Sequence, residues 1–167
     1  MEYMIRRVRP GDEEILAYIQ TESWKAGFSC ILDDKTLERY TQLDKVTQMY
    51  SHLLANQIGN GYLLFADGVP YCMAWWDLSR DKDMLGYAEL ICIHSLQERW
   101  RNGYGRAMMS EILKDVAKAG YSKIMLWVYA ENQRARVFYE SLGFIANGKQ
   151  KNELGALEVC YEKALIE

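Results

Sequence analysis

The chain has 167 residues, half of them apolar and 13% aromatic, enough for one domain with a real core and unlike a disordered or low-complexity polymer. A formal charge of −3 argues against general affinity for nucleic acid or an anionic membrane, since both depend on a basic surface excess. No apolar run reaches the roughly 18 residues of a spanning helix, and Arg6, Arg7 and Arg9 precede no apolar signal region, so a cytoplasmic protein is expected. Cys30, Cys72, Cys92 and Cys160 lie in apolar runs without a C-x-x-C pair, which predicts buried reduced thiols and neither a disulfide framework nor a metal site.

Tyr3 to Val8 reads as a first strand closed by Pro10, after which Asp12 can cap a helix with Ile15, Leu16 and Ile19 on its apolar face. The segment from Trp24 to Leu43 is expected to be irregular. A second helix is predicted from about Asp44 to Ala55, with Val46, Met49, Tyr50 and Leu53 at helical spacing. Tyr62 to Ala66, Asp67-Gly68 and Val69 to Asp77 form a hairpin signal, because Asp-Gly takes the two positive φ angles of a type I′ turn cheaply.

Tyr87 to His94 gives the next strand. It leads into a loop containing Gly103 and Gly105, two residues that permit positive φ or close approach of other atoms and so suggest a tight turn over a ligand. From Arg106 the positions Met108, Met109, Ile112, Leu113 and Val116 keep helical period until Gly120. Lys123 to Tyr129 is a near-continuous apolar strand, Asn132 can cap a short helix ending before Gly143, and Phe144 to Lys151 and Leu157 to Tyr161 read as closing strands around Gly155. The predicted order is β-α-α-β-β-β-loop-α-β-α-β-β, without linker or repeat.

A strand, a glycine-rich turn and a helix start make an anion site, because unpaired N–H groups converge there and the helix dipole favours negative charge. The competing reading is a tight connection that holds nothing. Arg99, Arg101 and Arg106 beside the glycines favour a small polyanion. The dinucleotide fingerprint fails at Met108, where its third glycine or alanine belongs, and no G-K-[ST] of a phosphate-binding loop is present.

"IHSLQERWRNGYGRAMM" (Ile93 to Met109) resembles the acetyl-coenzyme A loop and helix of the GCN5-related N-acetyltransferases (GNAT), usually Q/R-x-x-G-x-G/A. "LWVYAENQRARVFYESLGF" (Leu126 to Phe144) resembles their later strand, Asn-capped helix, tyrosine and Gly-Phe ending, and "YAEL" their preceding strand. Trp100 departs from the pattern at the Q/R position, where it can pack the loop or stack near the cofactor.

The resemblance implies a single mixed α/β domain over residues 1–167, with a mostly antiparallel twisted sheet of six to seven strands, splayed at a cofactor groove and flanked by about four helices. It implies acetyl-coenzyme A, held by Ile93, His94, Ser95, Arg101, Asn102, Gly103, Tyr104, Gly105, Arg106, Asn132 and Ala135. The coenzyme's phosphates suit the loop amides and guanidinium groups. Its amide-like arm can pair with free backbone of Tyr87 to Ser95 as an added strand would.

Acetyl transfer needs a neutral amine, yet an alkyl ammonium like that of lysine titrates at about 10.4, so some group must take a proton. Glu89, in an apolar strand leading to the loop, is the expected base, directly or through a water, with an ion-paired strand residue as the alternative and His94 as the rival. The resemblance makes Tyr139 the acid for the departing thiolate, against a core aromatic as the plain reading. The oxyanion donor is expected to be a backbone N–H near Ile93 to Ser95.

Trp24 and Trp76 are assigned to the acceptor pocket, with Asp77 and Glu22 as candidate acids for a cationic amine. Cys92, without an activating base, is expected to be inert. The expected activity is therefore direct transfer of acetyl to a primary amine of a small molecule or peptide, without nucleic acid or membrane partners and with a homodimer as the assembly to test. The alternative is a catalytically silent coenzyme A sensor.

Overall fold

The computed structural model describes residues 2–165. Its elements are β1 (Tyr3–Arg7), α1 (Glu13–Phe28), α2 (Asp34–Tyr40), α3 (Leu43–Ala55), β2 (Asn60–Ala66), β3 (Val69–Leu78), β4 (Ala88–Ser95), α4 (Tyr104–Lys118), β5 (Lys123–Tyr129), α5 (Gln133–Ser141), β6 (Ile145–Glu153) and β7 (Ala156–Ala164). The strands form one sheet in the order β1-β2-β3-β4-β5-β7-β6. Only β4 and β5 run parallel. No helix among the described residues is long and apolar enough to cross a membrane.

The hairpin turn is type I′ as expected, with Asp67 at φ 51° and Gly68 at φ 78°. The segment expected to be irregular is helical: α1 runs on to Phe28, and α2 follows, capped by Asp33, whose carboxylate accepts from the Thr36 amide at 2.9 Å. No residue of α2 is buried, so it carries no apolar stripe for periodicity to reveal. It brings the helices to five.

Asp12 stands at the start of α1, but its side chain makes no cap hydrogen bond. It is paired instead with Arg6 of β1 through bonds of 2.8 and 2.9 Å. In α3 the buried positions are Val46, Tyr50 and Leu54, while Met49 is exposed, so the apolar face lies slightly round from the expected one. Cys72 and Cys160 are buried free thiols, whereas Cys30, just past the end of α1, is exposed.

The core lies on both faces of the sheet. On one, α4 buries Met108, Met109, Ile112 and Val116, each of which contributes about 1.5–3 kcal/mol of hydrophobic stabilisation. Its Asp115 accepts from Tyr62 at 2.8 Å, and Tyr62 accepts from Trp76 at 2.9 Å. On the other face α1 and α3 pack, with the Tyr50 ring 5.5 Å from that of Trp75.

Two irregularities shape the middle of the sheet. Trp75 faces Cys92 but Trp76 faces Leu90, so Ile91 is the extra residue of a bulge in β4. A bulge bends its strand. From that point β4 and β5 part: they are paired only over Ala88–Leu90 and Ile124–Leu126.

Candidate functional site

The parted strands open into a groove of about 1660 Å³. Its middle is lined by residues 91–95 of β4 and 127–129 of β5; one end is closed by the 99–106 loop and α5, the other by α1, α3, the 80–83 turn and the β6–β7 hairpin. The β5-facing edge of Ile91 to His94 has no strand partner, so its backbone groups are open to an extended ligand. The open edge is shorter than expected. Ala88 to Leu90 are already paired to β5, and the Ser95 carbonyl accepts from Ser23 at 3.0 Å and Trp100 at 2.8 Å.

At the loop end the chain reverses through Arg101 at φ 67° and Gly103 at φ 81°. Gly103 is the N-cap of α4 and supplies no side-chain cap; the first intrahelical bond runs from the Ala107 amide to the Gly103 carbonyl. The amides of Gly105 and Arg106 therefore lie ahead of the helical ladder, at the positive end of the helix dipole. Gly105 differs from the expectation, being helical without positive φ. A Cβ there would stand 3.3 Å from the Phe138 ring, so this glycine admits the close approach of α5.

Trp100, at the position that departs from the family pattern, packs the loop. Its indole N–H holds the end of β4 through Ser95, and the Arg134 guanidinium lies 3.5 Å over its ring. Arg134 lines the groove with Arg101 and Arg106 and was missed in the sequence, where nothing local marks it; only the fold places it on a tryptophan of another element. Arg106 donates to Ser141 at 3.0 Å, and Arg99 is engaged with Tyr71, over the ring at 4.4 Å and bonded to its hydroxyl at 3.0 Å.

Asn102 donates to the Arg99 carbonyl at 3.1 Å. The Tyr104 ring is buried against Tyr71. Asn132 caps α5 by accepting from the Ala135 amide at 3.2 Å, so that amide is already used. Both residues line the groove.

Near the parting of the strands sit the candidate acid and bases. Tyr139 is buried between Phe138 and Phe144 and lines the groove, and its hydroxyl has no hydrogen bond to a described residue; burial pushes that hydroxyl well above the ordinary tyrosine range. Burial likewise pushes the Cys92 thiol up to about 12, which keeps it protonated and unreactive near neutral pH. His94 is held down to about 4 by burial and by Arg134. It is neutral at pH 7, with Nε2 accepting from the Trp24 indole at 3.4 Å.

Glu89 is buried as expected but not isolated among apolar groups. One oxygen accepts from the Arg80 amide at 3.0 Å and its Nε at 3.2 Å, and the other from an Arg80 guanidinium nitrogen at 2.7 Å.

At the end opposite the glycine loop Trp24 lines the groove, its ring 5.1 Å from Phe28 and 6.4 Å from Tyr40. Trp76 does not. It points to the α4 face, bonded to Tyr62, because neighbouring strand residues alternate faces. Trp75 is the groove residue instead. Asp77 lines the groove, whereas Glu22 lies outside it and pairs with Lys25 at 3.2 Å. Lys149 bridges to Asp81 at 2.8 Å and Asp83 at 3.5 Å, and Lys151 lies 4.5 Å over Trp127.

Glu158 of β7, also missed, faces this end. Its side chain is 13% exposed and reaches Lys151 at 4.0 Å, and burial holds its carboxyl above the usual glutamate range. Among the described residues no group of three or more His, Cys, Asp or Glu side chains is placed to hold a metal ion.

The model of the acetyltransferase (GNAT) family matches residues 16–144. A comparison with curated proteins finds no significant sequence match. Among solved structures, the PaiA N-acetyltransferase of Thermoplasma acidophilum, in complex with coenzyme A, superposes with a TM-score of 0.82 at 20% identity, over 98% of this chain and 99% of that one. The protein yncA of Salmonella typhimurium, with its cofactor acetyl-CoA, gives 0.75 at 17% identity over 99% and 95%. An N-acetyltransferase of Staphylococcus aureus Mu50 gives 0.76 at 14% identity over 99% and 100%. A match through the parted strands, the glycine loop and the Asn-capped helix together spans most of the sequence, and the chain belongs to the GNAT acetyltransferase family.

Proposed function

We propose that the protein transfers the acetyl group of acetyl-coenzyme A to a primary amine of a small molecule or peptide. The observation that carries this reading is the unpaired β4 edge running into an arginine-lined helix start. An amide-bearing arm can extend the sheet along Ile91 to His94 while phosphate groups meet Arg101, Arg106 and Arg134 and the amides at the start of α4. Bound there, the coenzyme supplies an acetyl thioester.

The remaining work belongs to the chain. Tyr139, its proton held by burial and its hydroxyl without a hydrogen bond to a described residue, gives a proton to the departing thiolate. Trp24, Trp75 and Asp77 flank the opposite end of the groove, where the acceptor enters. Glu89 keeps Arg80 folded against the groove wall. Direct attack by the amine fits the inert Cys92 thiol better than a covalent acetyl-enzyme does.

The test is a thermal melt with acetyl-coenzyme A, coenzyme A and NADH side by side, followed by thiol release with a panel of amines. Ligand at a hundred times its Kd adds about 2.7 kcal/mol of stability, so coenzyme binding is read directly. A shift with the coenzyme A pair together with thiol release is the expected result. A shift without release for any amine would favour a coenzyme sensor, and a shift with NADH alone would overturn the reading.

A further inference from the structure

We propose that Glu158 is the carboxylate that receives the acceptor ammonium and takes its first proton, a role that rests on the transferase reading above. Two acids on the same face of the sheet compete for it. The register sets Glu89 of β4 beside Met125 and Glu158 of β7 beside Tyr129, and alternation along β5 puts Met125, Trp127 and Tyr129 on one face. Both carboxylates line the groove.

Their partners separate them. Glu89 accepts three N–H bonds from Arg80, two on one oxygen and one on the other, so it is already engaged with a cation. The Glu158 carboxylate has no hydrogen bond to a described residue; of the two cations that act on it, Arg80 and Lys151, Lys151 stands at 4.0 Å with its ammonium also over the Trp127 ring. A carboxylate that is mostly buried yet unsaturated is a strong site for a cation that brings its own N–H donors.

The surroundings favour the proton too. Glu158 is faced by Lys151 and Glu153 from β6, Arg80 from the turn after β3, Glu89 from β4 and Tyr129 from β5. Burial and the two glutamates raise its affinity for a proton against the opposing cations. Burial and the same end of the groove push Tyr129 up to about 12, so it remains a phenol and does not compete as a base.

The proton balance closes. An ammonium R–NH3+ gives one proton to Glu158, which returns it to water; the nitrogen lone pair then forms the N–C bond as the C–S bond breaks. Tyr139 gives its proton to the sulfur, and the second proton released from nitrogen restores the phenol.

Two measurements on the full chain decide the assignment. The first is the carboxyl titration of Glu158 in the wild-type protein, followed by carbon-detected NMR with and without n-butylamine. A midpoint above the ordinary glutamate range that moves down on adding the amine is expected; a midpoint indifferent to the amine overturns the proposal. The second is kinetics of Glu158→Gln with the best amine of the panel. Loss of kcat/KM by about 10²-fold or more is expected, together with loss of the acid limb of the pH profile and unchanged coenzyme affinity. Glu158→Asp should keep that limb at reduced rate, and an unaltered profile in Glu158→Gln overturns the role. Should the wild type neither bind acetyl-coenzyme A nor acetylate any amine, the transferase reading fails, and the NMR arm still decides whether Glu158 receives an ammonium.

Discussion

The loop end of the groove is lined by one stretch of chain, Arg99 to Arg101 and Gly103 to Arg106, joined by Arg134 from α5, whereas the opposite end gathers Trp24 from α1, Trp75 from β3, Arg80 from a turn and Glu158 from β7. The first end depends on backbone: a left-handed turn at Arg101 and Gly103 and the start of α4. The second depends on where distant side chains land. A contiguous backbone site is therefore sensitive to φ and tolerant of side-chain change, and an assembled one is the reverse.

The sharpest way to break that contrast lies between the two ends, at Tyr139. Tyr139→Phe removes the donor and little volume, so kcat should fall by about 10²-fold while coenzyme affinity is kept. Equal turnover by stopped-flow thiol detection would remove Tyr139 from the mechanism and leave both ends as mere binding surfaces.

Next comes the backbone end. At Gly103 a side chain meets open space, so the whole penalty of Gly103→Val is left-handed strain of about 1–3 kcal/mol, about tenfold or more in the coenzyme Kd by calorimetry if the loop refolds to escape it. Gly103→Asn, which tolerates this φ, should bind almost as the wild type does. Equal losses in both variants would mean that side-chain space, not backbone conformation, governs this end.

The opposite end, where the acceptor is proposed to enter, is probed at Gly61, where a Cβ would overlap the Trp75 ring. Gly61→Ala should cost about 1–3 kcal/mol in urea unfolding and weaken amine turnover, with the coenzyme Kd unchanged. A coenzyme Kd that moves with it would show that the two ends are coupled.

The smallest effect is the pH dependence at His94, which touches both ends through Arg134 and Trp24. Its folded value of about 4 lies below the reference 6.5, so the unfolded chain binds more protons between those limits. Stability should be fully present above pH 6.5 and fall as the pH drops toward 4, and His94→Gln should flatten that part of the curve.

Much of this was legible in the residues. Asp67-Gly68 specified its turn, the Met108 to Val116 period its buried helix face, and Asn132 its cap, because each is a local device acting within a few residues. The α2 helix offers no apolar stripe because all its side chains are at least partly exposed, and a run of two tryptophans does not say that Trp75 rather than Trp76 faces the groove. Glu89 and Glu158 look alike as strand glutamates. Arg80, nine residues before Glu89, decides between them.

By itself the sequence determined the family, the glycine loop and the order of the strands, since these rest on spacing along the chain and on the backbone freedom of particular residues. The tertiary structure alone decided which carboxylate is left without an N–H donor, which tryptophan lines the groove and which arginine stacks on Trp100. The physical reason is reach. Backbone conformation is set by near neighbours, whereas hydrogen-bond saturation and desolvation are set by whatever the fold brings alongside.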